Sequence, residues 1–287
     1  VDDTSGVFAC MQRSWSSVMA LPYVYGNFAW TGFDYKGETT LGWPDVSSHF
    51  GINDLAGFAK DSVGYYQAWW RDGVDCEAQG KSIGISISPS DWTSPVPVAT
   101  VVPVHITTCA FSADLFVNGV RQSTGPPPKM ERFGYLVWQV PFMPGNITAV
   151  GYSASGAVIA RHTIVSAGVA TKLLLTVDNP YNGRNATTII ADGGDAALLR
   201  VEIVDVRGTR VPDADVNVTF DIMGFGAIIG VANGDPADHS PDKATWRRTF
   251  HGLARAIVAS SKVGGVGDIT ITAKTQSTIQ GNVVQSS

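Results

Sequence analysis

Two carboxylates, Asp34 and Glu38, stand in a glycine-containing stretch just after an apolar run that ends at Trp30. A pair of carboxyl groups can act as acid and nucleophile when held about 5–5.5 Å apart, provided one is kept protonated by its surroundings. Carboxylates in loops are more often solvated or structural. The competing reading for Asp34 is therefore a hydrogen-bond acceptor for a ligand, or an ordering residue of the loop itself. Trp43, His49, Asp54 and Lys60 lie in or beside the same stretch, and each suits either a cleft wall or a loop anchor. The other histidines, His105, His162, His239 and His251, lack the spacing of metal ligands. No Gly-x-Ser-x-Gly elbow or phosphate loop is present. Gly264-Gly265-Val266-Gly267 has no strand-then-helix context and reads as a turn.

Composition narrows the function classes. Hydrophobic residues make up 44% of the 287 residues and charged residues 16%, which gives ample core material for two or three domains. The formal net charge is −5 and basic residues do not cluster, which argues against nucleic acid or an anionic membrane as partner. No apolar run approaches the ~20 residues of a membrane span. The opening Val1-Asp2-Asp3-Thr4 is neither a leader nor an initiator methionine and suggests trimming or processing. Cys10, Cys76 and Cys109 are widely separated; free buried thiols are the default expectation and a Cys76–Cys109 bridge the alternative. Three sequons, at Asn146, Asn185 and Asn217, would accept glycans only in a eukaryotic secretory protein, so they tilt the location slightly towards a secreted, lysosomal-type or periplasmic compartment.

The elements that would position these residues fall into three textures. Phe8 to Ala20 predicts a helix, Tyr23 to Trp30 a strand covered on both faces, Thr31 to Gly57 a long loop, and Ala59 to Trp70 a helix. A loop of that length inside a domain is usually functional. Tyr65, Tyr66 and Trp69 sit at helical spacing and suit packing better than ligand contact. From about Gly80 the pattern becomes β. Strands are expected at Val98–Ile106, Leu136–Val140, Ile147–Tyr152 and Val158–Val165, with an Asn118-Gly119 hairpin inside Asp114–Arg121 and a loop at Pro126-Pro127-Pro128. A second set, Lys172–Val177, Ala197–Asp205, Asp215–Ile222 and Asp268–Lys274, predicts another sandwich ending in a poorly ordered tail from Thr275 to Ser287.

The stretch Phe28-Ala29-Trp30-Thr31-Gly32-Phe33-Asp34-Tyr35-Lys36-Gly37-Glu38 resembles the eighth barrel strand and following loop of glycoside hydrolase family 2 β-galactosidases. Gly42-Trp43-Pro44, Ser47-Ser48-His49-Phe50-Gly51-Ile52, Asp54-Leu55-Ala56-Gly57-Phe58 and Tyr65-Tyr66-Gln67-Ala68-Trp69 follow in the same order. Ala113-Asp114-Leu115-Phe116-Val117-Asn118-Gly119 and Trp138-Gln139-Val140-Pro141 are similar to the sandwich after the barrel. Val204-Asp205-Val206-Arg207-Gly208 and Asn233-Gly234-Asp235 are similar to the C-terminal immunoglobulin-like domain. The resemblance implies a mixed fold: a C-terminal (β/α)8 barrel fragment over 1–75, a β-sandwich over 76–168 and an Ig-like sandwich over 169–287.

It also implies roles. Trp30 would be the aromatic floor of a galactose subsite, with a core tryptophan as the alternative. Asp34, Glu38, Trp43 and His49 would be substrate-binding residues, and Phe50 and Asn53 would help hold a monovalent cation, with no other cofactor. The family's catalytic glutamates precede the eighth strand, whereas the first glutamate here is Glu38, and a full barrel needs ~250 residues. No catalytic residue is therefore assigned to this chain. A retaining β-galactosidase-like activity would need a partner chain carrying the N-terminal domains and first seven barrel units, with a β-galactoside or related glycan as ligand. The competing expectation is a non-catalytic glycan-binding or scaffold protein derived from the family. Departures leave room for it: Thr39-Thr40-Leu41 stands where the family often has Pro-Thr-Pro, and Ala59 replaces a usual proline.

Overall fold

The computed structural model describes residues 5–39, 41–70, 84–93, 96–178, 188–261, 265–275, 280–281 and 283–286. They belong to two compact units, Val1–Gly32 with Ala59–Ser166, and Phe33–Phe58 with Ala167–Ser287. Cys76, Asn185, Gly264 and the expected 75/76 boundary lie outside the described residues.

The first unit is a β-sandwich with two helices, α1 (Ser5–Ala20) and α2 (Ser62–Trp69). Its strands are β1 (Ile85–Ser88), β2 (Val101–Thr108), β3 (Ser112–Val117), β4 (Val120–Arg121), β5 (Leu136–Pro141), β6 (Asn146–Tyr152) and β7 (Val158–Val165). They form a three-stranded sheet in the order β1-β2-β5 and a four-stranded sheet in the order β4-β3-β6-β7. Alternate residues point inward, as strand geometry requires. Val102, Val104 and Ile106 of one sheet thus share a core with Ala113, Leu115, Val117, Ile147 and Ala149 of the other. The β3–β4 hairpin turns on Asn118 and Gly119, whose φ angles of 49° and 79° are those of a type I′ turn. The helices add a smaller aromatic core of Phe8, Tyr65, Trp69 and Phe133. Tyr65 donates its hydroxyl to the Phe133 carbonyl at 2.7 Å, and the Trp69 indole N–H donates to Gly134 at 2.9 Å. Those side chains pack, as their spacing predicts. Burial pushes the Tyr65 phenol well above its ordinary range.

The second unit is a larger sandwich. Its strands are β8 (Lys172–Val177), β9 (Ala196–Val204), β10 (Asn217–Gly224), β11 (Gly226–Ala232), β12 (Trp246–Arg248), β13 (Leu253–Ser260), β14 (Ile269–Thr275), β15 (Gln280–Gly281) and β16 (Val283–Ser286). One sheet runs β12-β10-β14-β16, the other β11-β13-β9-β8-β15. Leu173, Leu199, Val201 and Ile203 of the second sheet pack on Val218, Phe220 and Ile271 of the first.

Three expectations need correction. Residues 23–29 form no strand, although Tyr23 to Trp30 reads as one. A parallel barrel strand is defined by ladders to neighbours on both sides, and no such neighbours occur among the described residues. The polar tail is not structureless: β16 pairs antiparallel with β14 from Ile269↔Ser286 to Thr272↔Val283, and β15 pairs parallel with β8. Cys10 is free but exposed, and Cys109 is disulfide-bonded, so buried free thiols are not what these two form.

Candidate functional site

Residues 33–58, which carry most of the candidate side chains, belong to the second unit. The loop is closed on itself by two isolated bridges, Phe33↔Asn53 and Lys36↔Ser47. The Asp34 N–H donates to the Asn53 carbonyl at 3.0 Å, Gly37 to Val46 at 2.8 Å and Ser48 to Tyr35 at 2.8 Å. Asp34 is buried, and its Oδ1 accepts the Gly51 N–H at 2.7 Å. A side chain at Gly51 would have no room: a Cβ there would lie 2.2 Å from the Asp34 nitrogen and 2.3 Å from the Asn53 carbonyl oxygen. Asp54 Oδ1 accepts from Ala56 and Phe58, both at 2.9 Å, which closes the last turn of the loop.

The sandwich grips this loop through residues some two hundred positions away. Lys36 Nζ reaches both Asp242 carboxylate oxygens at 2.9 and 2.7 Å. The Val46 N–H donates to Pro236 at 2.8 Å. His239 Nε2 lies 2.8 Å from the Pro44 carbonyl, which only accepts, so Nε2 carries the proton. The His239 ring meets the Trp43 indole edge-on at 4.6 Å. At the other end, Phe58 lies under the guanidinium groups of Arg200 and Arg255 at 5.4 and 4.6 Å, and packs with Ala56 and Leu253. Buried Arg247 organises the segment that makes these contacts. It donates to Asp238 at 2.7 Å, to Val231 at 2.9 Å, to Pro241 at 3.0 Å and to Asp242 at 3.4 Å. Burial alone would raise the Asp238 carboxyl, but hydrogen bonds from Ser240 and the charge of Arg247 hold it at about 2.

The candidates therefore divide by chemistry. Asp34 is engaged in loop order through Gly51. Glu38 is exposed and accepts the Tyr35 hydroxyl at 2.5 Å, leaving carboxylate lone pairs towards solvent. Trp43 is 83% exposed, and its indole packs on the His239 ring at an interplanar angle of 65°. His49 Nε2 lies 2.8 Å from Asp45 Oδ2. Phe50 and Asn53 flank Gly51, and the Asn53 backbone carbonyl is already taken by Asp34. Among the described residues no group of three or more His, Cys, Asp or Glu could hold a metal ion. Trp30 belongs to the other unit and is 73% exposed; its peptide bond to Thr31 is cis. Sequence reasoning missed His239, Asp242 and Arg247, because no local pattern links them to a loop so far away in the chain.

Comparison with known proteins fits this architecture. Residues 184–284 match the family description "Glycoside hydrolase family 2 C-terminal domain 5", and residues 99–160 match a domain of unknown function. The chain is 34% identical over 253 residues to β-galactosidase BoGH2A of Bacteroides ovatus, covering 88% of this chain and 27% of that protein. It is 27% identical over 183 residues to a β-glucuronidase of Formosa agariphila, covering 63% of this chain and 16% of that one. Among solved structures, a β-glycosidase from Bacteroides vulgatus superposes with a TM-score of 0.80 at 26% identity, covering 96% of this chain and 32% of that chain. The chain thus spans about a quarter of the length of the curated β-galactosidase it matches, at 27%. It belongs to glycoside hydrolase family 2 and corresponds to the C-terminal portion of its members.

Proposed function

We propose that this chain is the C-terminal part of a retaining β-galactosidase-like glycoside hydrolase and supplies sugar-binding side chains, while the catalytic glutamates lie on the chain portion or partner that precedes it. In this reading residues 1–75 complete a (β/α)8 barrel. The observation that carries it is an unusual surface: Tyr23, Tyr25, Phe28 and Trp30 are 80%, 106%, 99% and 73% exposed within eight residues. Large apolar groups clustered on a surface mark an interaction site. A barrel partner would cover three of them and leave Trp30 for the C–H face of a sugar. Within the second unit, Trp43 and Glu38 offer an aromatic surface and an acceptor of their own, and Asp34 keeps their loop in shape. Among the described residues no helix is long and apolar enough to cross a membrane.

The test is kinetic. In the complete enzyme, Trp30→Ala is expected to lower kcat/KM for a chromogenic β-galactoside by about tenfold or more, equivalent to ~1.4 kcal/mol of lost transition-state binding. Unchanged kinetics would remove Trp30 from the subsite.

A further inference from the structure

A groove of about 730 Å³ opens on the first sandwich between the Pro126–Pro128 strap and the turn from Ser153 to Gly156. Its walls are preformed. The strap is pinned along β3 by the Ala113 N–H on the Pro128 carbonyl at 3.1 Å and the Met130 N–H on Phe111 at 2.9 Å. The opposite turn is closed by Ser153 on Ala157 at 2.8 Å and Gly156 on Ser153 at 3.0 Å, with Gly156 at φ 84°. Asp114 in the lining is fully buried; Arg121 Nε donates to its Oδ2 and the Leu115 N–H to its Oδ1 at 3.2 Å.

What remains free in the groove is chemically specific. Phe111 is 46% exposed, and the Lys129 ammonium stands 5.3 Å from its ring centre. Lys129 makes no ion pair with any described residue. The Tyr152 phenol also lines the groove and makes no side-chain hydrogen bond among the described residues. The lining carries two cations, Arg121 and Lys129, and one carboxylate, Asp114, in a chain whose formal net charge is −5. Asp114 balances the charge of Arg121 through Nε, so the cation of the lining without a carboxylate partner is the Lys129 ammonium. That suits one carboxylate better than a phosphate cluster. Phe111 and Tyr152 offer flat faces of the kind that pack on the C–H face of a pyranose, with the phenol as a hydrogen-bonding handle. The volume falls in the usual range for small-molecule sites and exceeds one sugar ring.

We propose that this groove binds a short acidic saccharide, with the sugar's carboxylate on Lys129 and a ring face on Phe111. The reading concerns the first sandwich alone and stands or falls independently of the role of Trp30. The test titrates the intact 287-residue chain by NMR at low salt with cellobiouronic acid and with cellobiose, which share a skeleton and differ in the carboxylate. The acidic disaccharide is expected to shift the resonances of Phe111, Lys129 and Tyr152 and to bind about three- to fivefold more tightly than the neutral one, the range of an exposed ion pair. Lys129→Ala should erase that preference and Lys129→Arg should keep it; Lys129 is exposed, so neither change touches the core. No perturbation of these resonances up to about 20 mM, equal affinity for the two sugars, or an acidic preference that survives Lys129→Ala would each overturn the proposal.

Discussion

Gly51 shapes the loop because its missing side chain lets two backbone segments meet at Asp34 and Asn53. Gly51→Ala should cost about 1–3 kcal/mol, as overpacking does, and denaturant unfolding of the chain would measure it. A second residue-level prediction concerns acid. Burial would raise the Asp205 carboxyl, but N–H donors from Gly168, Thr209 and Arg207 and the Arg207 guanidinium outweigh it and hold the group at about 2 against an ordinary 3.8. The unfolded chain therefore takes up this proton at a higher pH than the folded chain. The stabilisation is complete above 3.8 and is lost as pH falls towards about 2. Asp205→Asn should lower stability at neutral pH by about 1–3 kcal/mol and flatten the acid limb, read from unfolding midpoints across that window. Sequence alone places Asp34 and Glu38 in one loop. It does not tell which is committed to backbone and which faces water, since that is decided by the Gly51 N–H and the Tyr35 hydroxyl.

Among the elements, the loop from Phe33 to Phe58 and the segment from Asn233 to Asp242 work as one piece, and magnitudes show which contact matters. Lys36 and Asp242 are 48% and 60% exposed, so their ion pair is worth at most ~1 kcal/mol. Arg247 is 2% exposed, and its removal would take the cation from Asp238 at 11% exposure and leave it only its Ser240 and Asn233 donors, a loss of about 3 kcal/mol. Arg247→Ala should therefore speed amide exchange at Val46 and Gly37, whereas Lys36→Ala should leave it nearly unchanged; equal effects would mean that the surface pair is the true anchor. The Asn118-Gly119 hairpin is readable from sequence because its signal is local. The grip on the loop is not, because its partners lie 206 positions apart at Lys36 and Asp242. The strands at Gln280–Gly281 and Val283–Ser286 escape notice for another reason: in a Gln- and Ser-rich end, pairing is supplied by the exposed edges of β14 and β8 rather than by apolar alternation.

At the scale of the whole molecule, each unit carries its own core, and together they cover 32% of the β-glycosidase structure they resemble. The family resemblance is legible because several motifs stand in order across nearly the full chain. The barrel strand is the part that sequence over-reads, since Tyr23 to Trp30 has the composition of a covered strand but its ladders need other strands. The proposed function therefore makes an asymmetric prediction about activity: the sugar-binding side chains are here and the catalytic pair is not. The most direct measurement is hydrolysis of a chromogenic β-galactoside by the purified 287-residue chain, alone and combined with the preceding barrel portion. No turnover above buffer is expected for the chain alone, and turnover on combination that Trp30→Ala diminishes. Turnover by the chain alone, or none in a folded combination that contains both glutamates, would contradict the proposed function.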